Sequence, residues 1–289
     1  MTELAASLTF RLSRPPISMA SMGASAAVVA DACNEIWLFD GDEQPTHVNF
    51  GDPSVDRLRT VIAHRTNHML VAGSGRRIQA LLPDHEGWTW TFESGATFGM
   101  ALESGSIDMD PSGRIVACFD DGTFGLWSRG GVKLISGFSD VPYRQAAFVD
   151  HGVRVALNTG FALDVWNTRT GSLDRIKTWS RRTLQMSTAP DRGWIAIRLP
   201  DRIVVVDPLG CPVFDVPARC SAVAPRFIGD GQRIGVPEGK SVILYDVESG
   251  QAEAQHRFPA NVMCLSAHGQ GLLVGLSDGS IYNLQLDYK

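Results

Sequence analysis

Residues 107–128 read IDMDPSGRIVACFDDGTFGLWS: an apolar run, a turn of Asp, Pro, Ser and Gly, a second apolar run, an Asp-Asp-Gly turn and a third apolar run. The same order returns in AAFVDHGVRVALNTGFALDVWN (146–167) and MSTAPDRGWIAIRLPDRIVVVD (186–207). It returns again in PRFIGDGQRIGVPEGKSVILYD (225–246) and MCLSAHGQGLLVGLSDGSIYNLQ (263–285). Weaker copies lie at ISMASMGASAAVVADACNEIWLFD (17–40) and RTVIAHRTNHMLVAGSGRRIQALL (59–82). Short runs rich in β-branched and aromatic residues, punctuated by Gly, Asp and Asn, predict strands. In RIVACF, VRVALN, WIAIRL and GLLVGL the polar–apolar alternation is lost, which predicts strands buried on both faces. SRGGVK, NTRTGS and DVESGQ predict hairpin turns with glycine where positive φ is needed.

The apolar residue near the end of each third run sets a register: Phe39, Leu81, Trp127, Trp166, Val206, Tyr245 and Leu284. The intervals are 42, 46, 39, 40, 39 and 39 residues. A fourth short run follows six of the seven, at 46–50, 88–92, 132–136, 173–177, 212–216 and 254–258. Four strands in a unit of about forty residues is the period of a β-propeller blade. The seventh unit, ending in SDGSIYNLQLDYK, has no fourth run of its own, whereas LTFRL at 8–12 precedes the first unit and belongs to none. An unpaired edge strand is a hazard, so the two ends are expected to pair and close the ring. The reading is all-β: one domain over 1–289, a seven-bladed propeller of four-stranded antiparallel blades. Blades are expected at 17–50, 59–92, 105–136, 144–177, 183–216, 221–258 and 261–286, the last completed by 8–12.

Composition fits one soluble domain with a sizeable core, at 44% hydrophobic and 20% charged residues. The net charge of −5 argues against nucleic acid as the partner. The five cysteines are odd in number, scattered and without a Cys-x-x-Cys pair, which suits a reducing compartment and predicts a cytoplasmic protein. Arg11 and Arg14 stand before ISMASMGASAAVVADA in the outward form of a secretory leader, but Ser and Gly dilute that stretch and the repeat claims it as strand. No segment approaches a membrane span.

The units resemble the WD40-like propeller superfamily across essentially the whole chain. Where that family closes its third strand with Trp-Asp, this sequence has Phe39-Asp40, Trp127-Ser128, Trp166-Asn167, Val206-Asp207 and Tyr245-Asp246, and it has no Gly-His pair. The resemblance implies a rigid platform for binding other proteins, mostly without catalysis, and names no partner.

Motifs for chemistry are sparse. No nucleophile elbow or phosphate loop occurs, and GSGRR (73–77) sits between strands rather than before a helix. His64 and His68 have zinc spacing only on a helix, and are expected in a solvated turn. No catalytic residue, metal site, cofactor or small-molecule ligand is predicted. Of the 26 basic residues 22 are Arg, and many fall in the links between blades or the turns between second and third strands, which share one face of such a propeller. Arg57, Arg59, Arg76, Arg77, Tyr143, Arg144, Trp179, Arg181, Arg182 and Arg202 are the predicted partner-binding residues, because Arg, Tyr and Trp are enriched at binding hot spots. The expected function is a scaffold or adaptor subunit of a multi-subunit assembly, gripping an acidic or carboxylate-rich protein segment at the channel mouth. A lactonase-like hydrolase with its site at that mouth is the alternative, and a nucleic-acid-binding propeller the next.

Overall fold

The structure is a computed structural model and describes residues 4–22, 26–40, 44–48, 58–63, 69–82, 87–93, 106–189, 191–219 and 221–286. Strand β1 (Leu4–Arg11) comes first in the chain but belongs to the last blade. Blade one is β2 (Pro16–Ser21), β3 (Ala26–Asp31), β4 (Ile36–Asp40) and β5 (Thr46–Val48). Blade two is β6 (Leu58–Ala63), β7 (Leu70–Ser74), β8 (Arg77–Leu81) and β9 (Trp88–Glu93). Blade three is β10 (Ile107–Met109), β11 (Ile115–Cys118), β12 (Thr123–Trp127) and β13 (Lys133–Phe138). Blade four is β14 (Gln145–Val149), β15 (Arg154–Asn158), β16 (Ala162–Asn167) and β17 (Leu173–Thr178). Blade five is β18 (Gln185–Ala189), β19 (Trp194–Arg198), β20 (Arg202–Val206) and β21 (Pro212–Pro217). Blade six is β22 (Arg226–Ile228), β23 (Arg233–Glu238), β24 (Ser241–Asp246) and β25 (Ala252–Arg257). Blade seven is β26 (Val262–His268), β27 (Gly271–Leu276), β28 (Ser280–Leu286) and, outermost, β1. All seven register residues lie in third strands, as the spacing predicts.

The closing strand is longer than LTFRL. It pairs antiparallel with β28 from Leu4 opposite Leu286 to Arg11 opposite Ser280, with a bulge between Leu8 and Phe10. Arg11 Nε donates to Ser280 Oγ at 3.0 Å and its Nη2 reaches Asp278 at 3.4 Å. The β27–β28 turn is the Asp278-Gly279 pair, where Gly279 has φ of +84° and any side chain would strike the Leu12 carbonyl.

The core has no single centre. Among the described residues the buried apolar side chains sort into seven clusters, one between each pair of adjacent blades. The loss of alternation in the second strands follows from this. In β11, Ile115 and Ala117 pack toward blade two while Val116 and Cys118 pack toward blade four. In β19, Ile195 and Ile197 face blade four while Ala196 faces blade six. Both pleat faces are dry, so both must be apolar, and no blade can bury its faces alone. Gly137 marks how closely the strands fit, since a Cβ there would overlap the Phe124 ring.

Links and turns divide between two faces. On the link face, among the described residues, connections from a fourth strand to the next blade are stitched to the turn between second and third strands. Ser139 N–H donates to the Gly122 carbonyl at 2.9 Å, Trp179 to Phe161 at 2.9 Å, Ala218 to Asp201 at 3.0 Å and Phe258 to Lys240 at 2.7 Å. The opposite face, the hairpin face, carries the turns between first and second and between third and fourth strands. No helix among the described residues is long and apolar enough to cross a membrane.

Candidate partner-binding face

At blades four and five a buried polar network sets the connections of the link face. Asn158 at the end of β15 donates from Nδ2 to Gln145 Oε1 at 2.9 Å. Its Oδ1 accepts from Gly160 N–H at 2.9 Å and Thr183 Oγ1 at 2.8 Å. Gln145 in turn donates to Gln185 of the neighbouring blade. The backbone is fixed as well: Arg144 N–H donates to the Asn158 carbonyl and Thr183 N–H to the Gly160 carbonyl, both at 2.7 Å. Arg144 and Arg182 are therefore held on rigid backbone beside the inner strands β14 and β18.

Among the described residues neither Arg144 nor Arg182 meets a carboxylate within ion-pair distance, whereas Arg181 pairs with Asp201 at 2.7 Å and Arg202 with Asp215 at 3.1 Å. Partial burial, reinforced by Arg182, holds the Arg144 guanidinium below its ordinary pKa. Gly160 (φ +98°) lies directly under the Arg144 chain, whose Cδ would be 3.2 Å from a Cβ there.

Tyr143 requires a correction. It is a predicted surface residue but is 1% exposed, because its ring packs between blades three and four. Its hydroxyl donates to Asp164 Oδ2 at 2.6 Å, and Arg175 grips the same carboxylate at 2.8 and 3.1 Å. Burial and the Asp164 charge push the Tyr143 hydroxyl pKa up. Trp179 is divided in role, half-buried against the blade four–five core with part of its ring at the surface. Arg76 is exposed in the β7–β8 turn and Arg77 is half-buried at the start of β8, on blade two. Arg59 lies on β6, and Arg57, His64 and His68 lie outside the described residues.

The residues missed in the sequence are apolar. Phe138, Val141 and Phe161 are 64%, 55% and 54% exposed on or beside the links next to Arg144. Phe161 carried a readable signal: it occupies the second–third turn, where blades three and seven have Asp-Gly. On the hairpin face several charges are paired within the ring. Arg114 bonds Asp110 and donates to the Gly152 carbonyl of the next blade, His151 lies 3.6 Å from Asp191, and Arg192 bridges Asp230 and Glu248.

The thiols of Cys118 and Cys264 are buried, which pushes their pKa values up, that of Cys264 to about 12, and leaves them unreactive at neutral pH. Among the described residues no group of three or more His, Cys, Asp or Glu could hold a metal ion.

These features define a seven-bladed β-propeller whose link face carries Arg144 and Arg182 near exposed Phe138, Val141 and Phe161. The chain is similar to the solved WD40 β-propeller domain of Doa1, with a TM-score of 0.76 over 98% of both chains at 15% sequence identity. That likeness establishes the fold. No protein-family model matches the chain, and no curated protein matches it in sequence.

Proposed function

We propose that this protein is a non-catalytic interaction scaffold, an adaptor within a larger assembly, and that its link face grips an acidic protein segment carrying an apolar or aromatic side chain. The observation that carries this reading is the pair Arg144 and Arg182, rigidly held, without carboxylate partners among the described residues, beside exposed Phe138, Val141 and Phe161. An unpaired cation next to a wettable apolar patch is the surface form of a hot spot: the apolar groups exclude water and strengthen the ion pair beside them. Arg181 and Arg202 already have acidic neighbours and belong to the rim, where a charge contributes chiefly to the rate of encounter.

Fluorescently labelled peptides test the reading: an acidic peptide with one Phe, the same peptide with Phe replaced by Ser, a neutral peptide, and a single-stranded oligonucleotide. The acidic Phe peptide is expected to bind best, with affinity falling as salt rises. Arg144→Glu with Arg182→Glu should weaken it by about a hundredfold, and Arg202→Glu by less than about threefold. Equal loss in both variants, or tighter binding of the oligonucleotide, would overturn the assignment.

A further inference from the structure

The central channel is untouched by the surface described above. It encloses about 490 Å³, within the range of small-molecule sites, and is walled by the first strands of all seven blades. Much of the wall is backbone and small apolar residues such as Ala20, Ala146 and Ala267. Two charged side chains interrupt it deep inside: Asp108 on β10 of blade three and Arg226 on β22 of blade six. Three steps apart in a ring of seven, they approach from opposite walls.

Each is held by the backbone. Asp108 Oδ2 accepts from the Phe148 N–H at 2.8 Å, and Arg226 Nε donates to the Leu265 carbonyl at 3.2 Å. They feel each other's charge across the space, yet they form no ion pair with one another. Among the described residues the terminal nitrogens of Arg226 meet no carboxylate. Asp110, the other acid near Asp108, is already taken by Arg114 at 2.6 Å. Two opposite charges, partly buried and held apart, are costly without a group between them. A simple anion between them would satisfy Arg226 and repel Asp108, and a simple cation would do the reverse. A molecule carrying both charges at its two ends satisfies both.

We propose that the channel binds a small zwitterion, an amino acid-like molecule whose carboxylate lies on Arg226 and whose ammonium group lies on Asp108. This site is independent of the link face, so either can fail without the other.

Calorimetric titration of the full chain tests it with glycine, β-alanine and 4-aminobutanoate, which carry the same two charges at increasing separation. Acetate and methylammonium serve as single-charge controls. At least one zwitterion is expected to bind, and both controls at least about tenfold more weakly. Asp108→Asn and Arg226→Met should each weaken the best zwitterion by about tenfold or more. If Arg226→Met does not fold, Arg226→Lys takes its place, since Lys keeps the charge but loses the bidentate fork. The proposal is overturned if no zwitterion binds up to about 10 mM. It is also overturned if the variants bind unchanged, or if acetate binds as tightly as the zwitterions and ignores Asp108→Asn.

Discussion

Asp108 shows most sharply what one residue can cost this fold. Burial raises its carboxyl from the ordinary 3.8 to about 6, against the lowering effect of the Phe148 and Met109 backbone N–H groups and of Arg226. A carboxyl whose folded pKa lies above its unfolded value binds more protons when folded. Its presence therefore costs no stability below the unfolded value, and stability falls as pH rises from about 4 to about 6. Above that window the penalty is constant and on the order of 3 kcal/mol. Asp108→Asn keeps an acceptor for the Phe148 N–H and removes the charge. It should melt at a higher temperature than the parent at pH 7.5, with the difference vanishing below about pH 4. Identical melting curves at both pH values would show that the carboxylate is solvated in the channel. No sequence signal marks this residue, because IDMD reads as one more strand-and-turn, and only the ring places Asp108 opposite a residue 118 positions later.

At the scale of elements, the link between blades three and four is clasped by a hydrogen bond between a tyrosine and a carboxylate. Tyr143 belongs to the link, Asp164 to β16 and Arg175 to β17, so one buried carboxylate joins three segments. Tyr143→Phe removes a hydrogen bond to a charged acceptor while leaving Arg175 in place. It is expected to lower stability by about 1.5 kcal/mol, read as a shift in the urea midpoint with an unchanged slope. An unshifted midpoint would mean that the ring's packing alone holds the link. The strands themselves were legible because each obeys a local rule: short β-branched runs, Gly-containing turns, and a third run returning at near-constant spacing. The placement of Tyr143 was not, because a tyrosine after Asp-Val-Pro looks the same in a sequence whether its ring points outward or between blades. Arg144 and Arg182 were readable as link residues, but which arginines already had acidic neighbours depended on Asp201 and Asp215, contributed by other elements.

For the whole molecule, the ring is the unit of stability. Every blade buries its two faces against two neighbours, so opening the ring at one joint leaves two faces wet and removes the outer strand of blade seven. Deletion of residues 1–12 should therefore lower the melting temperature and broaden the transition, or cause aggregation, rather than merely shorten the chain. A truncated protein that melts at the parent temperature would dismiss the role of β1. At this scale Arg192 ties blade five to blade six on the hairpin face, while the link face holds Arg144 and Arg182 near exposed Phe138, Val141 and Phe161.

The pairing of β1 with β28 sets a timetable for biosynthesis. Arg11 and Ser280 are 269 residues apart, and a ribosome covers that distance in roughly 13–54 s at ordinary elongation rates. For that interval β1 is a nascent strand with both edges open, and blades one to six can stack in order of synthesis while the seventh waits. β1 is suited to the delay: it carries a serine, a threonine and an arginine, and most of its residues remain at least partly solvent-facing even in the closed ring. Whatever shields it, whether its own polarity or a chaperone, is needed until the last strand emerges.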